Sequence, residues 1–398
     1  MRFLVLVFLP LVLFAVEFKV ASYNVENLFD TKKSGHEYKE YIPNSKSGWN
    51  KKMLSIKIKN IARVIKEIDA DIISLQELEN KEVLKRLNLA LGSKKYPFIY
   101  SDFKTRGIDS ILLSRYPIKS HKAYVVNPRF RPIHKVRVEI EGLHVELFLN
   151  HWPSYSHSLK TRMKFAKKLK NLYKNEKNFI LLGDFNSPLV VDKKGWGKSV
   201  RYVIQDNFDL WYDYPKFYRY SHVFYKNKNA LDHIIASPNM NYKDGSFGVF
   251  KPKYLQNKYK QPKRWLISKK GKGQHQGVGY SDHFAIYATF STKKLKNKTP
   301  TVTSIATLLK SNKTRVNYIL KDVMAINVNK YGTTIEDKNR DKIYVFKPDC
   351  KLELGEVYSL HVKQLATYRG NKEIVLLDFN SCLDIFFDIK AHFGGKLF

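Results

Sequence analysis

The stretch NFILLGDFNSP, residues 178–188, decides how the rest of the chain is read. Phe179 to Leu182 are apolar in succession, the pattern of a strand covered on both faces. The strand ends at Gly183, and Asp184 and Asn186 follow at its tip. Other strand-like segments end the same way. Asn24 closes the strand in EFKVASYNV (17–25), Glu77 lies in DIISLQE (71–77), and His151 in HVELFLNHW (144–152). Asp232 begins LDHIIAS (231–237), and Asp282 and His283 lead into HFAIYATF (283–290). A single strand-terminal Asp or Asn is ordinary turn chemistry. Six such sites in one region, each beside an apolar strand, exceed what turns require.

Two amphipathic helices are expected among these strands. Residues 51–68 place Leu54, Ile58, Ile61, Ile65 and Ile68 on one face. Residues 158–174 do the same with Leu159, Met163, Ala166, Leu169 and Tyr173. Many strands with few helices point to an α+β sandwich rather than a doubly wound parallel sheet. The segment 109–115 (DSILLSR) is a further strand. The polar, lysine-rich stretch 292–312 reads as a linker. Beyond it, VNYIL, VMAINV, KIYVF, VYSLHV and EIVLLDF are five short strands suited to a small barrel over 313–398.

The 398 residues are 43% hydrophobic and 14% aromatic, a globular composition with room for two domains. The 71 Lys+Arg against 36 Asp+Glu give a net charge of +35, which fits a polyanionic partner such as nucleic acid. Residues 301–398 hold 15 Lys+Arg and 11 Asp+Glu, so the excess lies in the sandwich region. An apolar run from Phe3 to Val16 has signal-peptide length, with Ala15 as the expected cleavage point. The mature chain is expected to be exported, secreted or periplasmic, and to act as a monomer. Cys350 and Cys382 are either one local bridge or two separate thiols.

The clustered residue types make joint chemical sense. Carboxylates with an amide and no thiolate form a hard oxygen site, suited to Mg²⁺, Mn²⁺ or Ca²⁺. Two histidines, each with an aspartate within reach, can exchange protons near neutral pH. Metal, acid and base together describe hydrolysis of a phosphate ester.

SYNVENLF, LQE, NHWPS, GDFNS, LDHII and SDHF occur in the order of the endonuclease/exonuclease/phosphatase superfamily, and residues 17–291 resemble it. The resemblance implies a four-layer α/β/β/α sandwich of two mainly antiparallel sheets, with the site at one rim. It implies Glu77 as the main metal carboxylate with Asn24 beside it, and Asp184 and Asn186 orienting nucleophile and phosphate. His283 would be the base, oriented by Asp282, which could also approach the metal. His151 would assist the leaving group, held in its tautomer by Asp232. His233 reads as structural, and Glu26 as either a further ligand or a polar neighbour. The C-terminal piece resembles an OB-type barrel.

Charge narrows the substrate. Residues 245–281 hold nine Lys+Arg and no acid, with Tyr254, Tyr259 and Trp265 interleaved. Lys263, Arg264, Lys269, Lys270 and Lys272 are therefore candidate nucleic-acid contacts. Arg106, Asp109 and Arg131 are candidate rim residues, and the 158–174 helix adds Arg162 and six lysines. The expectation is a metal-dependent nuclease acting on DNA, with RNA left open as a further substrate, and with little sequence preference. Two rivals are a secreted sphingomyelinase-type phospholipid phosphodiesterase and a non-catalytic nucleic-acid-binding protein. The first would need an exposed apolar hairpin.

Overall fold

The computed structural model describes residues 15–103, 107–267, 273–295 and 299–378. Strand Glu17–Leu28 is the hub. Its apolar residues Phe18, Val20, Tyr23 and Val25 are buried, and it pairs antiparallel with Ala285–Ser291 and parallel with Ile72–Leu78. The first sheet runs in the order Asn241–Tyr242, Ala285–Ser291, Glu17–Leu28, Ile72–Leu78, Asp109–Ser114, Phe98–Tyr100, with Gly248–Phe250 also on Ala285–Ser291. The second runs Ile118–Tyr124, Ile133–Ile140, Leu143–His151, Phe179–Asp184, Asp232–Ala236, Phe208–Asp209.

Each sheet contains one parallel pairing, and each parallel pair is joined by a crossover helix. Lys51–Ile68 serves the first sheet. Asn50 caps it by accepting from the Lys52 and Met53 amides, and all five expected apolar positions are buried. Leu159–Tyr173 serves the second. Its buried face runs through Arg162, Phe165, Ala166, Leu169 and Tyr173, so the stripe is displaced from the expected Leu159 and Met163. The central strands are buried along nearly their whole length because each is covered by the other sheet on one side and a helix on the other. The result is an α+β, four-layer sandwich around one core.

The second domain is a closed five-stranded barrel: Arg315–Asn329, Gly332–Glu336, Lys342–Phe346, Asn371–Leu377, Val357–Tyr368, and back to Arg315–Asn329. VNYIL and VMAINV are one strand, not two. It bends at Asp322 (φ 53°), where the register with Val357–Tyr368 shifts between Leu320 and Val323. The fifth strand is instead GTTIE, whose three polar residues in five hid it. The stretch read as a linker also carries structure: Thr301–Thr303 pairs with the barrel, and Ile305–Lys310 buries Ile305 and Leu308 in its core. Cys350 is buried there, and Cys382 lies outside the described residues. Among the described residues, no helix is long and apolar enough to cross a membrane.

Candidate active site

Three neighbouring strands of the second sheet set the site by register. His151 pairs with Asp184 in parallel, and Asp184 pairs with Asp232 antiparallel, so the three stand in one row across the sheet. Gly183 makes the row possible. A Cβ there would lie 2.0 Å from the Asn150 carbonyl oxygen. Asn186 follows with φ 44°, a left-handed turn in which its amide N–H and side chain both donate to Asp184, at 2.8 and 3.2 Å. Its side chain also donates to the Trp152 carbonyl at 3.0 Å, tying this tip to the end of the His151 strand.

The first sheet supplies the facing wall. Asn24 Nδ2 donates to Glu77 Oε1 at 3.0 Å and to Asp184 Oδ2 at 3.2 Å, joining the two sheets through one amide. Glu77 itself has φ 72° at a break in the strand pairing, which turns its carboxylate into the cleft. The Asn27 amide donates to its second oxygen at 2.8 Å.

The histidines differ from their expected partners. His283 Nδ1 lies 2.6 Å from Asp232 Oδ2, so Asp232, not Asp282, orients it. Asp232 has thereby no part in fixing His151, whose buried Nδ1 has no hydrogen-bond partner among the described residues. The reason is the row itself. Asp232 is placed under the 281–284 turn, where Ser281 Oγ donates to the Asn24 carbonyl and positions the His283 backbone. His151 Nε2 instead approaches Glu77 Oε1 (3.6 Å) and Asp184 Oδ2 (3.8 Å), and His283 Nε2 lies 3.9 Å from the same Asp184 oxygen.

This crowding shifts the groups in opposite directions. Burial opposes a charge on His283, but Asp232, Asp184 and Asp282 outweigh it and raise the imidazole well above its usual value. Burial, with Arg131 and His283, pushes His151 well below its usual value and keeps it neutral. Burial raises the Asp184 carboxyl to about 7 against the pull of His283. Asp282 is lowered: burial would raise it, but the cationic surroundings of His283, His222, Arg264 and Lys57 prevail.

The cleft over these groups has a volume of about 1720 Å³. Arg131 and Arg264 stand on its lining, whereas Lys263 does not. Arg131 is fixed by donating to the Ile108 carbonyl at 2.9 Å. Arg264 pairs with Glu26, which also accepts from the Trp265 amide, so Glu26 anchors the basic loop. Arg106, Lys269, Lys270 and Lys272 lie outside the described residues. Three further expectations change. Trp265 is buried, with its indole donating to His275. Arg162 is fully buried and donates to the Ser154 and His157 carbonyls, so it shapes the loop after His151 instead of meeting solvent. Asp109 is buried against His134 at 2.9 Å and is no rim residue.

The sequence reading missed His222. Its ring lies tilted at 39° to that of His283 with centroids 4.7 Å apart, and it lines the cleft. It sits in a short hairpin, His222–Phe224 with Asn227–Asn229, whose only signal is the turn-forming KNKN. Two clusters could hold a divalent ion: Asp184, Asp232 and His283, and His222, Asp282 and His283. The carboxylate-rich donor set, with Asp232 Oδ1 buried and unpartnered among the described residues, fits such an ion.

The family model described as Endonuclease/Exonuclease/phosphatase family matches residues 19–292. The chain belongs to this family. The family's hydrolase fold supports a phosphodiesterase. No curated protein matches the sequence. Among solved structures, a truncated Caenorhabditis elegans TDP2 is 18% identical with a TM-score of 0.47, over 69% of this chain and 97% of that one. A D. rerio TDP2 complexed with single strand DNA product is 17% identical with a TM-score of 0.47, over 69% and 99%. A family protein from Beutenbergia cavernae DSM 12333 is 11% identical with a TM-score of 0.49, over 88% and 82%.

Proposed function

We propose that the chain is an exported, divalent-metal-dependent nuclease that cleaves DNA with little sequence preference. The observation that carries this reading is the convergence of His283, His151 and Asp184 within 4 Å of shared carboxylate oxygens, at the floor of a cleft with Arg131 and Arg264 on its walls. His283 acts as base in its neutral form, taking the proton of the attacking water at Nε2, while Asp232 holds Nδ1–H and stabilises the imidazolium that forms. Because the surrounding carboxylates raise the imidazole, this neutral form is populated towards alkaline pH. Asn186 and Asp184 fix the position of water and phosphate. His151, kept neutral by its burial, donates a hydrogen bond to a phosphate or leaving oxygen. Glu77 with Asn24 beside it, and Asp282, would hold Mg²⁺ or a similar ion, which would supply charge neutralisation at the phosphate oxygens. The charge of +35 and the apolar leader support a nucleic-acid substrate outside the cytoplasm.

The test is nicking of supercoiled plasmid by the chain from Val16, with Mg²⁺, with EDTA, and with His283→Ala alongside. Cleavage dependent on both ion and histidine is expected. A folded sample inert with Mg²⁺, Mn²⁺ and Ca²⁺ would overturn the reading. One observation favours the phospholipid alternative: the 222–229 hairpin exposes Phe224 (59%) and Tyr225 (82%) beside the cleft. Release of phosphocholine from sphingomyelin vesicles by a sample inert on plasmid would select it.

A further inference from the structure

A second groove, about 1490 Å³ in volume, opens from the catalytic cleft and ends at the barrel. The two are continuous, sharing Tyr155, His222 and Phe224 in their linings. Eight lysines and arginines line the groove against two aspartates. Both acids are engaged. Asp349 is held by Arg219 in a two-pronged pair at 2.6 and 2.6 Å, and Asp192 accepts the Trp196 amide at 2.9 Å. The remaining field is positive.

Aromatic side chains alternate with the cations. Phe217 is 42% exposed and lies between two ammonium groups, Lys228 at 5.1 Å from the hairpin and Lys347 at 5.0 Å from the barrel. Its ring also meets Phe346 of the barrel edge-on at 5.6 Å. Phe224 is exposed at the point where groove and cleft join. The Arg219–Asp349 pair and the bond from Lys216 Nζ to the Pro348 carbonyl hold the barrel turn against the catalytic domain, so the wall is fixed.

We propose that this groove seats a single-stranded stretch of the nucleic acid flanking the scissile phosphate, with phosphates on Lys228 and Lys347 and bases stacked on Phe217 and Phe224. Exposed rings interleaved with cations suit unstacked bases, because every base offers a face to stack on and every nucleotide a charge. The inference rests on the nuclease reading above.

The experiment uses the full mature chain, wild type beside K228Q/K347Q and Phe217→Ala, each checked for an unchanged thermal melt. Binding of a fluorescent single-stranded oligonucleotide of about 20 nucleotides is followed in EDTA across salt concentrations, and hydrolysis of bis-p-nitrophenyl phosphate is followed with Mg²⁺. The double variant should weaken oligonucleotide binding about tenfold and flatten the log–log salt slope by about 1.4, two contacts at about 0.7 each. Phe217→Ala should weaken binding with the slope unchanged. Hydrolysis of the small diester, too short to enter the groove, should stay at the wild-type rate. Unchanged oligonucleotide binding and slope in both variants would overturn the proposal, as would lost binding to anionic phospholipid vesicles with oligonucleotide binding intact. A wild type that binds the oligonucleotide through these residues but hydrolyses no diester would sink the nuclease reading and leave the groove standing.

Discussion

His283 and His233 are both buried in the same sandwich and both paired with an aspartate at 2.6 Å, yet they differ in what their second nitrogen meets. His233 Nε2 is bonded to the Ser187 carbonyl at 2.9 Å, so each of its nitrogens is satisfied. His134 repeats this pattern with Asp109 and the Tyr100 hydroxyl, at 2.9 and 3.0 Å. His283 has its Nε2 on the cleft, with Asp184 Oδ2 at 3.9 Å, beyond hydrogen-bond reach. A satisfied Asp–His pair braces the fold. A pair with one nitrogen turned to solvent space can carry a proton.

The comparison breaks most easily at the histidines. His283→Ala should lower turnover by at least about 10²-fold, and it should cost less stability than His233→Ala, because removing a ring that borders the cleft lets water reach Asp232. His233→Ala should do the reverse. It strands Asp209 in the core and costs about 3 kcal/mol of stability, read by urea unfolding, while turnover per folded molecule stays within a few fold. If the two variants behaved alike, the open nitrogen would have no meaning.

Asp232→Asn comes next. It keeps the shape but removes the charge that stabilises the imidazolium and defines the tautomer, so a loss of about 10²-fold in kcat is expected. Asp282→Asn should not disturb the His283 tautomer, because Asp282 is not its hydrogen-bond partner. A steady-state pH profile separates the two: the acidic limb, set by protonation of the base His283, should move to lower pH far more in the Asp232 variant than in the Asp282 variant.

The two regions differed in legibility as well. The central strands and both crossover helices could be read from the sequence because each buries an unbroken or helically spaced apolar set. Ile118–Tyr124 could not, since it is an edge strand with four exposed residues in succession, Lys119 to Lys122. In the site, motif order identified the residues but not their partners. Asp232 and Asp282 each neighbour a histidine in sequence, and only the sheet register decides that Asp232 reaches His283 across the strands. His222 was hidden for the same reason, coming to the site through an isolated bridge to His283.

Asp184 shows what the open site costs the fold. Its carboxyl is pushed up to about 7 by burial, above the ordinary value of an unfolded chain. Below about pH 4 both states are protonated and nothing is lost. Between there and pH 7 the unfolded chain ionises first, so the penalty on folding grows as pH rises, and above pH 7 it is complete. Asp184→Asn should therefore raise the melting temperature in EDTA by a few degrees at pH 8 and by less at pH 5, while abolishing turnover. A variant less stable at both pH values would mean that the Asn24 and Asn186 hydrogen bonds outweigh the buried charge.

The smallest effect is expected at His222. Burial and the neighbouring His283 hold its imidazole down at about 4, so it is neutral when the enzyme works, and its Nδ1 is buried without a partner among the described residues. Packed at a tilt against His283 with ring centroids 4.7 Å apart, it is placed to keep that ring upright. His222→Phe keeps an aromatic ring against His283 and removes the nitrogens, so kcat should change by less than about tenfold and the pH profile should keep its shape. A loss matching that of His283→Ala would make His222 a second proton carrier. A selective rise in the Mg²⁺ or Mn²⁺ concentration needed for half-activity would instead assign its nitrogen to the cluster with Asp282 and His283, and the pH profile at saturating ion separates these two cases.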